Sequence, residues 1–137
     1  MKKYIFIVSL LCLLAACTGK RQGEAAVEVA ALPAVEDVVM YQVNPRVFAP
    51  EKSFKAVERR LDSIQALGIN VVWFMPINEV GQEKSVNSPY CVKDYKGVNP
   101  EFGTLDEFKA LVATCHQKGM NVIIDWVANH TSWDNAW

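Results

Sequence analysis

The sequence predicts an α/β fold built on parallel strands, and three observations carry that prediction. Short apolar runs rich in β-branched and aromatic residues (38–43, 69–75 and 120–124) alternate with two stretches of helical apolar spacing. A glycine closes each helical stretch, Gly68 and Gly119, where a left-handed residue ends a helix. The segment Gly68-Ile69-Asn70-Val71-Val72 also recurs as Gly119-Met120-Asn121-Val122-Ile123, each copy leaving a helix and opening a strand, as in a repeated βα unit. Strands joined through helices run parallel with right-handed crossovers. Periodicity leaves open whether such a sheet is open or closed.

The elements follow in order. Residues 38–43 read as a buried strand that Asn44-Pro45 ends. Phe54, Val57, Leu61, Ile64 and Leu67 fall on one face of a helix predicted over 54–67, with Arg59, Arg60, Asp62 and Gln65 on the other faces. Residues 69–75 form a second buried strand, closed by Pro76, and Trp73 within it reads as core. Residues 77–103 have no clear period and read as a long connection. Thr104-Leu105-Asp106-Glu107 is a capping box, with Thr104 as N-cap and Glu107 at the third helical position. Leu105, Phe108, Leu111, Val112 and Cys115 give that helix its apolar face. Residues 120–124 are the third strand, and Asp125 stands at its end.

Composition excludes several classes. In 137 residues, 14 Lys and Arg oppose 15 Asp and Glu, a net charge of −1. There is no basic footprint over the whole chain, so no nucleic-acid partner is expected. The balance also excludes a highly charged disordered tail. The 51% hydrophobic content is inflated by the first residues. Lys2 and Lys3 precede an apolar run over 5–14 broken only by Ser9. A mature membrane-spanning helix needs about 20 apolar residues, so this run suits the apolar region of a signal peptide. Leu14-Ala15-Ala16-Cys17 then resembles a bacterial lipobox, which implies cleavage before Cys17 and lipidation of its thiol; an ordinary signal peptide with a coincidental cysteine is the alternative. The expected organisation is a signal peptide over 1–16, a lipid-anchored tether over 17–35, and a folded part over 36–137. The expected location is that of an exported, membrane-anchored lipoprotein, at the outer membrane or cell surface rather than the inner membrane. Cys91 and Cys115 remain, and free thiols are the simpler reading than a disulfide.

The segment Ser88-Pro89-Tyr90-Cys91-Val92-Lys93-Asp94-Tyr95-Lys96-Gly97-Val98-Asn99-Pro100-Glu101-Phe102-Gly103-Thr104 resembles the α-amylase superfamily, glycoside hydrolase family 13. Asp125-Trp126-Val127-Ala128-Asn129-His130 resembles that family's first conserved region, and Val39-Met40-Tyr41-Gln42-Val43 its first strand. The resemblance spans roughly 37–137 and implies a (β/α)8 TIM-type barrel. Such a barrel needs about 250 residues, so the expectation here is its N-terminal part, about three βα units. It implies an α-glucan or maltooligosaccharide substrate, cleaved by a retaining mechanism. The family's nucleophile and acid/base follow later strands, so no catalytic residue is expected in this chain and the piece alone is expected to be inactive.

The same resemblance assigns roles. Tyr90 would stack on the sugar ring in the subsite being cleaved, since an aromatic face packs against the C–H face of a pyranose. His130 would bond a hydroxyl of that sugar, since imidazole both donates and accepts. Asp125 would be a buried carboxylate supporting the strand end, and Asp94 an acceptor ordering its loop. Asn129 would offer its carbonyl oxygen to a structural Ca2+. Cys91 departs from the Trp or Asp common at that position, which leaves subsite specificity open. Trp133 and Trp137 are candidates to line the cleft. The reading is an α-amylase-type glycoside hydrolase; the alternative is a non-catalytic glycan-binding lipoprotein or a truncated, inactive product.

Overall fold

The computed structural model describes residues 31–137. The expected signal peptide, Cys17 and most of the expected tether fall outside the described residues. Among those described, strands β1 (Met40–Val43), β2 (Val71–Phe74) and β5 (Asn121–Ile124) form one parallel sheet in the order β1-β2-β5. The helical segments between them are α1 (Pro45–Phe48), α2 (Ser53–Glu58), α3 (Leu61–Gln65) and α4 (Leu105–Gln117). The α/β reading with parallel neighbours therefore holds, and each strand is shorter than its apolar run.

The repeated asparagine has a physical use. Asn70 accepts from the Val39 N–H (2.9 Å) and donates to the Asp37 carbonyl (2.7 Å). Asn121 donates its side-chain amide to the Ala31 carbonyl (3.1 Å), and its backbone N–H to the Asn70 carbonyl (2.8 Å). A strand's entrance leaves backbone groups without ladder partners, and an amide side chain supplies both a donor and an acceptor to meet them. Asn121 thereby ties the chain at Ala31, ahead of the start expected at residue 36.

The core lies between the sheet and the helices. Phe54 and Val57 from α2, Leu61 and Ile64 from α3, and Phe108, Leu111 and Cys115 from α4 pack on Val43, Val72 and Phe74. The Phe108 ring sits 4.9 Å from Phe54 and 5.5 Å from Phe74, centroid to centroid. One aromatic of α4 thus joins the first helical layer to the central strand.

The helix predicted over 54–67 is corrected to two short ones. The Arg60 N–H turns back to the Val57 carbonyl (2.8 Å), an i to i−3 bond that tightens the chain between α2 and α3. Phe54, Val57, Leu61 and Ile64 stay buried across the break, so the apolar stripe survives where the helical ladder does not. Leu67 is a second correction: it is 69% exposed, beyond the last turn. Leu105, at the first position of α4, is also exposed. The connection over 77–103 holds a small antiparallel pair, β3 (Glu79–Val80) and β4 (Val92–Asp94), too short to leave a period.

The capping box closes as expected. The Glu107 N–H donates to Thr104 Oγ1 (3.1 Å) and the Thr104 N–H to Glu107 Oε2 (2.9 Å). Gly103, just before it, has φ +135°, and a Cβ there would meet the Phe54 ring at 3.1 Å and the Glu107 carboxylate. Gly68, at φ +81°, has open space where a Cβ would go. Gly103→Ala is therefore expected to cost about 1–3 kcal/mol through strain and to disturb the box besides. Gly68→Ala should cost only the left-handed backbone, about 1 kcal/mol. Urea denaturation of both variants checks the order; equal losses would contradict it.

Candidate functional site

Parallel strands send all their C-terminal ends to one rim. Gln42, Trp73 and Ile123 lie in register across β1, β2 and β5. They occupy the face opposite Val43, Val72 and Phe74, which pack under the helices. Asp125, two residues past Ile123, continues at the rim this face, which carries no helix among the described residues, and its N–H donates to the Phe74 carbonyl (2.9 Å).

The Asp125 carboxylate uses both oxygens. Oδ1 accepts from Trp73 Nε1 (2.6 Å), and Oδ2 accepts from the Tyr90 hydroxyl (2.9 Å). One residue after β5 thus anchors an indole on β2 and a phenol in the loop that follows β2. Two expectations are corrected here. Asp125 is half-buried rather than buried, because the rim is open to solvent. Trp73 is half-buried rather than core, because it lies on that same face and its N–H needs an acceptor. Donation to Asp125 raises the Tyr90 pKa above its ordinary value, with burial and the Asp125 charge adding to the effect.

His130 lies five residues further along, at the end of Asp125-Trp126-Val127-Ala128-Asn129-His130. It lines a pocket of about 360 Å³ with Tyr95, Trp126, Val127, Asn129 and Trp137. Asn129 Nδ2 approaches His130 Nδ1 at 3.2 Å. With the amide N–H turned to it, Nδ1 is the accepting nitrogen of this contact, which leaves Nε2 free to meet a ligand hydroxyl. The structure therefore links Tyr90 and His130 through one segment, whose first residue holds Tyr90 and whose last is His130. Tyr90 does not line the His130 pocket.

Asp94 Oδ1 accepts from the Lys96 N–H (2.8 Å), within its own loop. Trp137 stacks on Tyr95, with centroids 5.3 Å apart at 16°. Trp133 has the Lys84 Nζ over its ring, 3.6 Å from the centroid, so that face is already covered. Cys91 and Cys115 are both free. Burial, with Glu58 nearby, pushes the Cys115 thiol up to about 12, so it is unreactive.

Calcium takes six to eight oxygen ligands. Among the described residues no three His, Cys, Asp or Glu side chains converge on a point, and exposed Asn129 is a single amide. These residues by themselves do not fit the ion.

Sequence reasoning missed Tyr95. Its hydroxyl meets the carbonyls of Val127 (2.6 Å) and His130 (2.8 Å). The signal was present, since Tyr95 stands beside Asp94 in the segment that carries the resemblance, but a side chain bonding backbone leaves no spacing pattern.

The raised Tyr90 pKa has a definite sign. The bond favours the protonated phenol, so its contribution is full below the ordinary tyrosine range and is lost as pH rises through the raised value. Asp125→Asn should bring the Tyr90 titration back down, read as tyrosinate absorbance against pH. An unchanged curve would show that Asp125 does not hold the phenol.

The family described as alpha amylase, catalytic domain, matches residues 52–137. An oligo-1,6-glucosidase of Halalkalibacterium halodurans is 33% identical over 107 residues, covering 74% of this chain and 18% of that protein. The human amino acid transporter heavy chain SLC3A1 is 38% identical over 103 residues, covering 72% of this chain and 15% of that one. An alpha-amylase from Lactobacillus plantarum superposes with a TM-score of 0.67 at 41% identity, over 73% of this chain and 24% of that structure. The chain thus spans under a fifth of the length of these two curated relatives.

Proposed function

This chain belongs to the alpha-amylase catalytic-domain family and has the fold of the N-terminal part of its TIM barrel; from that premise we propose that it is the sugar-positioning part of a retaining α-glucan hydrolase. The observation that carries the reading is that Asp125 bonds Tyr90 at the C-terminal end of a parallel strand and opens the segment that ends in His130, at the rim where such barrels do their chemistry. The substrate class proposed is starch or maltooligosaccharide.

In this reading Tyr90 offers its partly exposed ring to the apolar face of a glucosyl unit, while Asp125 fixes the ring's direction through the hydroxyl. His130 meets a sugar hydroxyl through Nε2. Asp125 serves here as the shared acceptor for Trp73 and Tyr90 and is not assigned the part of the nucleophile. Retaining hydrolysis uses two carboxylates about 5–5.5 Å apart. We assign that pair to later strands of the barrel. The ring flattens and gains positive charge on the way to the transition state, so contacts to the distorted ring count for more there than in the ground state.

The lipobox-like Leu14-Ala15-Ala16-Cys17 supports a lipid anchor on Cys17, with the barrel held at the outer membrane or cell surface. A second reading is a glycan-binding lipoprotein without catalysis; one relative is named as an amino acid transporter heavy chain and not as a hydrolase. Turnover of a maltooligosaccharide by the complete protein separates the two.

Two outcomes are expected. In the complete barrel protein, His130→Ala and Tyr90→Ala should each lower kcat by about 5- to 150-fold, the loss of roughly 1–3 kcal/mol. A kcat held within about twofold would refute the subsite, and a rise in KM alone would move both residues to a non-reacting subsite. Cys17→Ala should abolish labelling of the chain by a fatty-acid analogue in cells; equal labelling of variant and parent would rule out the anchor.

A further inference from the structure

We propose that Tyr95 is a positioning residue that clamps the turn carrying His130 and so sets the direction of its ring. The tyrosine hydroxyl lies 2.6 Å from the Val127 carbonyl and 2.8 Å from the His130 carbonyl, so a single phenolic proton is shared between the two ends of one turn. The turn itself has little else to hold it, since Ala128, Asn129 and His130 are exposed. Three further bonds fix the chain on the far side of the turn to the same edge. The Ser132 N–H donates to the Val92 carbonyl (2.9 Å), and Asn135 Nδ2 donates to the carbonyls of Val92 (3.3 Å) and Lys93 (2.8 Å). The stretch 92–95 is therefore a rail on which 127–135 lies, and Tyr95 is its contact at the turn. Trp137 stacks on the same ring and holds the phenol in place. Because the clamp grips His130 by its own carbonyl, slack there turns the imidazole directly, and with it Nε2. The link from clamp to turnover rests on the sugar-binding reading of His130.

Tyr95→Phe deletes one oxygen and leaves the ring that stacks on Trp137. Two measurements on the complete barrel protein test the inference. The first is the backbone order parameter at Asn129 and His130 by nuclear magnetic resonance. It should fall from the rigid range near about 0.85 to below about 0.6 in Tyr95→Phe; an unchanged value overturns the clamp. The second is a cycle of Tyr95→Phe with His130→Ala on a maltooligosaccharide. Tyr95→Phe alone should lower kcat by about 2- to 12-fold, the loss of one hydrogen bond, and should add nothing in the His130→Ala background. Fully additive losses would show that Tyr95 does not act through His130 and would overturn the proposal. A fallen order parameter with kcat unchanged by His130→Ala would uphold the clamp and reject the sugar role of His130.

Discussion

The arrangement of the rim depends on one carboxylate. Asp125 ends a parallel strand and spends both oxygens at once, on the Trp73 indole of the neighbouring strand and on the Tyr90 phenol of the loop beyond it. Hydrogen bonds to an ionised acceptor are worth about 1.5–3 kcal/mol, more than neutral ones. Removing the acceptor would leave two aromatic donors without their partner at the mouth of the sheet. A loop tied this way takes its position from the strands, so the precision of Tyr90 is inherited from the β2–β5 register.

That register is in turn held from the other end and from beneath. Asn70 and Asn121 satisfy the backbone at the strand entrances, so the strands start in step. Phe108 wedges between Phe54 and Phe74, locking helix to central strand by burial of three rings. The two faces of β2 divide the labour: Val72 and Phe74 pack under the helices, and Trp73 faces the side where the rim residues gather. The core and the rim are thus served by alternate residues of one short strand.

Much of this was legible in the sequence, and the failures have physical causes. The parallel βα order was readable because apolar runs, helical stripes and closing glycines agreed with one another. The capping box was readable because it is a local exchange of two bonds between Thr104 and Glu107. The break between α2 and α3 was not, because the stripe of Phe54, Val57, Leu61 and Ile64 fits both an unbroken helix and two short ones. Tyr90, Asp125 and His130 were placed by resemblance, and their contacts came only with the fold, since Tyr90 and Asp125 are far apart in the chain. Tyr95 escaped because its partners are carbonyls, which every residue has. The burial of Asp125 was overstated, because a residue at a strand's end faces an open rim.

Under the proposed function, Tyr90 and His130 address one sugar unit from two loops that Asp125 and Tyr95 hold in place. A crystal structure of the complete barrel protein soaked with maltose tests it most directly. A glucosyl ring should stack against the Tyr90 face, with one of its hydroxyls within hydrogen-bond distance of His130 Nε2. A glucosyl ring bound at this rim and touching neither residue would contradict it.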